Sequence, residues 1–78
     1  MAEQNDSPVV EVGKKYRIFY GKGNPNNVVH HIRAIVDERQ VVARYWSRRK
    51  QYWIYVVDHI VFYEMRKKEG YLIPLSGR

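Results

Sequence analysis

Cysteine is absent from the 78 residues. That removes disulfide staples, thiolate metal sites and cysteine nucleophiles, so a small fold must stand on its apolar core alone. Glycine and proline are sparse, five and three residues, which excludes collagen-like and Pro/Gly-rich disordered chains. No stretch approaches the roughly 18 apolar residues of a membrane-spanning helix. The N-terminus has neither the charged nor the apolar region of a secretory signal. These absences lead us to expect a soluble, cytoplasmic (intracellular) protein without a membrane partner. A chain of this size buries only about 60% of its unfolded surface, enough for one shallow core and no deep substrate cavity.

Acidic residues are also scarce: eight Asp and Glu face fourteen Lys and Arg, for a net charge of +6. Three of the eight, Glu3, Asp6 and Glu11, lie in the first thirteen residues, which hold no Lys or Arg and so carry −3, leaving +9 on the remainder. From Arg39 to Val57 there is no acid at all, while Arg39, Arg44, Arg48, Arg49 and Lys50 fall in that span. A block of this kind attracts polyanions or an acidic protein face. A solvated surface that keeps a small protein soluble is the plainer alternative.

Aromatics are plentiful: seven Tyr, two Trp and two Phe. Together with Val and Ile they recur with period 2 rather than 3.6, the signature of half-buried strands. Met1–Pro8 reads as a flexible acidic leader, free to fold over a basic face. Gly21–Asn27 is the clearest loop, because nearly every residue in it is a turn former. Strands are expected near Lys14–Tyr20, Val28–Asp37, Gln40–Arg48, Gln51–Val57 and Val61–Arg66, with Asp58-His59-Ile60 as a compact break. Val57–Lys68 could instead form a helix, the chief alternative to this strand order. The tail, residues 69–78, can add a strand at Tyr71–Leu75.

Parity tests the central strands. Turns at Glu38-Arg39 and Arg49-Lys50 sort the chain into two faces. Ile32, Ala34, Val36, Val41, Ala43, Tyr45, Ile54 and Val56 share one face, a core. His31, Arg33, Arg44, Trp46, Arg48, Trp53 and Tyr55 share the other. In this register Arg33 faces Arg44, Ile32 faces Tyr45, Ala34 faces Ala43, Trp46 faces Trp53 and Arg44 faces Tyr55. A one-residue slip reverses a strand's facing, so the agreement of both turns supports an antiparallel meander.

A meander with one strand before a long loop and another after a compact turn resembles the SH3-like small β-barrels, over roughly Val10 to Arg66. The resemblance rests on strand order and spacing and implies an all-β barrel of about five antiparallel strands spanning residues 9–68. It implies no function, since such barrels bind RNA, DNA, peptides and methylated side chains alike.

Chemistry concentrates on the basic-aromatic face. Guanidinium groups pair with phosphates, and flat rings stack on unpaired bases. The expected nucleic-acid-binding residues are Arg33, Arg44, Trp46, Arg48, Arg49, Lys50, Trp53 and Tyr55. Lys14, Lys15, Arg17 and Lys22 would extend the positive track. The expected partner is RNA or single-stranded DNA, read with low sequence specificity because no Asn or Gln cluster is placed to read base edges. The alternative is a protein-binding or homodimerising module that engages an acidic partner or a second copy through the same face. Trp–Trp and Arg–aromatic pairs also simply stabilise a sheet. His30 and His31, adjacent on a strand, point to opposite faces and cannot easily share one metal ion. Ser7, Ser47 and Ser76 lack a nucleophile-elbow context, and Gly21-Lys22-Gly23 is too short for a P-loop. The pattern points to a binding module without cofactor, not to an enzyme.

Overall fold

The computed structural model describes residues 9–75; the leader Met1–Pro8, with Ser7, and the stretch from Ser76 onward lie outside them. The fold is all-β, one antiparallel five-stranded sheet with a single short helix. Strands β1 (Lys15–Gly21), β2 (Asn24–Val36), β3 (Gln40–Ser47) and β4 (Tyr52–His59) run as a meander, followed by helix α1 (Ile60–Lys68) and strand β5 (Leu72–Leu75). The order across the sheet is β4-β3-β2-β1-β5. β5 returns to pair with β1, from Lys15↔Leu75 to Ile18↔Leu72. The expected barrel closure is not found: β4 and β5 are the two edges of the sheet and do not pair.

Three departures from the sequence reading have clear local causes. The stretch Val61–Arg66 is helical, and the fifth strand is Leu72–Leu75 instead. Asp58 and His59 finish β4 rather than forming a break, and His59 caps the helix, its Nδ1 accepting the Val61 N–H at 3.1 Å. Arg66, Lys67 and Lys68 fill the last turn, where cations complement the negative end of the helix dipole. The helix ends on Gly70 at φ +84°. There Gly70 N–H bonds the Lys67 carbonyl and Tyr71 N–H the Arg66 carbonyl, at 3.1 and 2.7 Å, the paired bonds of a Schellman motif.

The second departure is the loop at 21–27. Only Lys22 and Gly23 form the turn, and β2 already begins at Asn24, opposite Gly21. The register shifts between Phe19 and Gly21, and Pro25 sits in that irregular stretch, where a missing backbone donor breaks no regular ladder. Asn side chains replace ladder bonds locally: Asn24 Oδ1 accepts the Asn26 N–H at 2.9 Å, and the Asn27 amide donates to the Pro25 carbonyl at 3.1 Å.

The third concerns the β2–β3 register. The turn is centred on Asp37 and Glu38, both at positive φ (53° and 62°), one residue earlier than expected. Val36 therefore faces Gln40, and Ile35 rather than Val36 faces Val41. A bulge at Arg33, between Ile32 and Ala34, absorbs the slip. Ile32 thus keeps its inward facing but pairs with Ala43 instead of Tyr45, and Arg44 pairs with His31 instead of Arg33. Val36 is exposed and leaves the expected core. The β3–β4 register is as the parity argument gives it, with Trp46↔Trp53, Arg44↔Tyr55, Tyr45↔Ile54 and Ala43↔Val56, closed by a four-residue turn, 48–51, in which Gln51 takes φ 63°.

The core lies between the inner sheet face and α1. Val10, Tyr16, Ile18, Ile32, Val41, Ala43, Tyr63 and Leu72 are buried, with Ile35, Val56, Ile60 and Phe62 packed around them. Tyr63 reaches in from the helix and is fully buried, and its hydroxyl meets Nδ1 of buried His30 at 2.9 Å. His30 stacks on Tyr45, the ring centroids 6.0 Å apart. Burial lowers the His30 pKa and raises that of Tyr63, favouring the uncharged form of each group. The two histidines accordingly occupy opposite faces, His30 inward and His31 outward.

Candidate nucleic-acid interface

The outer face of the sheet is built by register. One row crosses all five strands: Leu75, Lys15, His31, Arg44 and Tyr55 lie side by side. A second row brings Ile73, Arg17 and Val29 together on one side and Trp46 with Trp53 on the other. No Asp or Glu occupies an outward position of β1–β4. The nearest strand acid, Asp58, lies opposite buried Val41 on the inner side. Period-2 alternation alone thus segregates the cations from the acids.

Trp53 is the hub. The Arg44 guanidinium lies 4.0 Å from its ring centroid, and the edges of Trp46 and His31 approach at 5.4 and 5.1 Å with interplanar angles of 75° and 79°. Arg44 also reaches the Tyr55 ring at 6.0 Å and donates from Nη1 to its hydroxyl at 3.1 Å. Each cation–π contact is worth about 0.5–2 kcal/mol and each edge-to-face ring pair about 0.5–1.5 kcal/mol. Trp53 is therefore surrounded, while Trp46 and Tyr55 keep 44% and 57% of their surface open and are the rings free to stack on a ligand. Arg44 Nε is buried and has no hydrogen-bond partner, so this arginine has unspent donor capacity at the centre of the face. His31 has its pKa lowered by partial burial first, then by Lys15, Arg44 and Arg33. The surrounding cations disfavour one more positive charge, which is the same field that attracts an anion.

The face has a cleft. The β2–β3 ladder ends at His31↔Arg44, yet β2 continues back to Asn24 along β1, and β3 continues to Ser47 along β4. The two hairpins part there and enclose about 310 Å³. Arg17, His31 and Arg48 bring positive or titratable groups to it, Trp46 and Tyr45 its aromatic walls, and Asn27 an amide. Arg17 is held in place by its bond to Asn27 Oδ1 at 2.8 Å. A larger hollow of about 800 Å³ lies between Val9, Ile35 and Ile60, rimmed by Glu38, Glu64, Lys67 and Lys68. It has mixed charge and no aromatic lining, and it is remote in character from the basic-aromatic chemistry.

Comparison with protein-family models, with curated proteins and with solved structures finds no match for this chain. The geometry must carry the reading by itself.

Of the residues expected from sequence, Arg44, Trp46, Trp53 and Tyr55 come together on the outer face, and Arg48 borders the cleft. Arg49 and Lys50 stand exposed at the hairpin tip, beyond the ring cluster. Arg33 is exposed at the bulge and does not face Arg44. The β1 register adds Lys15 and Arg17 to the face, whereas Lys22 occupies the β1–β2 turn and Lys14 precedes β1. Asn27 and Val29 join the site without a sequence signal, because no pattern in the sequence marks where two strands part. Among the described residues, no helix is long and apolar enough to cross a membrane.

Proposed function

We propose that this protein is a non-catalytic nucleic-acid-binding module that takes RNA or single-stranded DNA on the outer face of its sheet, with low sequence specificity. The observation that carries the reading is the unbroken row Lys15–His31–Arg44–Tyr55 on a face without an outward acid, with Trp46 and Tyr55 left open beside it. Lys15, Arg17, Arg48, Arg49 and Lys50 neutralise phosphates, and the open rings stack on bases. Exposed rings favour unpaired strands, because bases in a duplex are already stacked on one another. Arg44, fixed between Trp53 and Tyr55, acts mainly as a charged spacer that holds the rings apart.

The test is a salt-dependent titration of fluorescent single-stranded RNA, single-stranded DNA and duplex DNA, followed by anisotropy and Trp quenching. Each phosphate contact contributes about 0.7 to the slope of log K against log salt for single strands. Arg48→Ala with Arg49→Ala should therefore flatten the slope by roughly 1.4. Retention of the full slope removes the hairpin tip from the interface, and no binding at low salt removes the reading altogether.

A second reading draws on the strip of open apolar surface formed by Trp46, Tyr55 and Val57, exposed by 44%, 57% and 62%. A protein partner or a second copy would cover it. Trp46→Ala with Trp53→Ala dissolves a dimer on that reading, as sedimentation would record, and leaves a monomer unchanged on the first.

A further inference from the structure

The cleft where β2 and β3 part has a property that the rest of the face lacks: its walls carry unpaired backbone. Ile32 exchanges both of its backbone groups with the β1 side, its N–H to the Lys14 carbonyl and its carbonyl to the Gly13 N–H, at 3.0 and 2.9 Å. Strand alternation then turns His30 and Val28 toward β1, where they pair with Tyr16 and Ile18. It turns the N–H and C=O of Val29 and Asn27 the other way, toward β3. On β3, the Ser47 carbonyl accepts from Gln51 N–H across its own hairpin at 2.7 Å. Trp46 therefore points its backbone groups toward β2. Between Val29 and Trp46 there is no ladder, because the β2–β3 pairing stops at His31↔Arg44.

We propose that this cleft holds one unstacked nucleobase of a bound single strand, read on its hydrogen-bonding edge by the backbone of Val29 and seated against Trp46, with the adjoining phosphate held by Arg17 and Arg48. The proposal rests on the nucleic-acid reading given above and specifies where a base goes. Four observations converge on it. The donor and acceptor of a single residue, side by side, complement the paired donor–acceptor edges that bases present. Trp46, which lines the cleft and keeps 44% of its surface open, also offers a flat heterocycle a ring to stack on. The volume of about 310 Å³ sits at the low end of small-ligand pockets, about 300–1,000 Å³, which suits one nucleotide and no more. Finally, three cationic or titratable groups, Arg17, His31 and Arg48, border a cleft with no acid in its lining. Because backbone rather than side chains does the reading, the cleft favours an edge pattern without identifying a sequence.

The experiment compares the whole protein's affinity for an eight-nucleotide oligothymidylate with that for the abasic deoxyribose-phosphate oligomer of the same length, at matched low salt, with amide chemical shifts recorded for both. The expected result is binding of both, with the base-bearing strand tighter by tenfold or more, as one buried stack implies. The amides of Asn27, Val29 and Trp46 should shift with the oligothymidylate and stay in place with the abasic strand. Val29→Met, which reaches into the cleft without offering a ring, should reduce the ratio several-fold; an unaltered circular dichroism spectrum checks its fold. Equal affinity for the two strands overturns the base-holding cleft while leaving the electrostatic face intact. A preference for bases that Val29→Met leaves undiminished also overturns it by placing every stack elsewhere. Failure of both strands to bind overturns the face and the cleft together.

Discussion

Tyr63→Phe removes one oxygen from the centre of the core, and the structure sets the size of the response. That hydroxyl lies 2.9 Å from Nδ1 of His30, and both residues are buried. Its loss leaves an imidazole nitrogen without its partner, at a cost of about 1–3 kcal/mol. For a domain of this size each kcal/mol lowers Tm by about 4–8 °C, so the variant should melt roughly 4–24 °C below the parent. Replacing both partners, His30→Phe with Tyr63→Phe, should lose less than the sum of the two single changes, because no buried polar group is stranded. The pH profile carries an independent signature. Burial lowers the folded pKa of His30 below its usual value near 6.5, so between the two values the unfolded chain binds more protons than the fold. Stability is then full above about pH 6.5 and is lost as pH falls. Tyr63 has its pKa raised by burial, which erodes stability at the other end, above about pH 10. Urea unfolding followed by Trp fluorescence at several pH values measures all of this. A Tyr63→Phe variant within about 0.5 kcal/mol of the parent, together with a double variant whose acid limb is unchanged, would falsify the pairing argument.

His31 gives a functional counterpart. Partial burial, with Lys15, Arg44 and Arg33 around it, lowers its pKa in the free protein. A bound polyanion opposes those charges, so the His31 pKa should rise when a single-stranded oligonucleotide is added, and affinity should strengthen as pH falls through the interval between the two values. Imidazole NMR titration with and without oligonucleotide checks it; a pKa that does not move excludes an anion near His31. Gly70→Ala meets open space at its Cβ but must hold φ +84°, so it should cost about 1–2 kcal/mol by conformation alone. Thermal melts check this, and a neutral effect would show that the Schellman bonds had given way at no cost. Arg44→Met removes the cation between Trp53 and Tyr55; stability should fall by about 0.5–2 kcal/mol, and the indole fluorescence of Trp53 should shift as its neighbour changes.

The legible parts of the fold were those fixed by short-range alternation. The β3–β4 hairpin is uninterrupted from Gln40↔His59 to Ser47↔Tyr52, and period 2 with one parity choice reproduces it. The β2–β3 register was not legible, because its turn uses positive φ at Asp37 and Glu38, residues without the Gly that would mark it, and a compensating bulge at Arg33 leaves no compositional trace. The helix was obscured by its own sequence. Ile60, Val61, Phe62 and Tyr63 are β-branched or aromatic and read as strand, and its cap is a histidine rather than one of the favoured Ser, Thr, Asp or Asn. The candidate face was readable as a set of residue types, and Arg44, Trp46, Trp53 and Tyr55 could be placed from it. Lys15 and Arg17 required the β1 register, and the cleft required knowing where the β2–β3 ladder stops, which no residue's identity marks.

The pairing of β5 with β1 bears on the order in which the molecule assembles in time. Strands β1 to β4 find their partners from sequence neighbours, each hairpin closing a short loop. The Lys15↔Leu75 pair, by contrast, joins the first strand to the fifth and can form only after everything between them has been made. Closing it carries the largest loop entropy in the fold, although that term grows only slowly with length. Until β5 arrives, β1 presents a bare strand edge, and Tyr16, Ile18 and the site that Leu72 fills stay open to water. The nascent meander therefore has a vulnerable interval in which another exposed strand could take the place of β5. The four residues Leu72–Leu75, with Pro74 among them, end that interval by sealing the edge with a strand that is itself a poor template for further pairing.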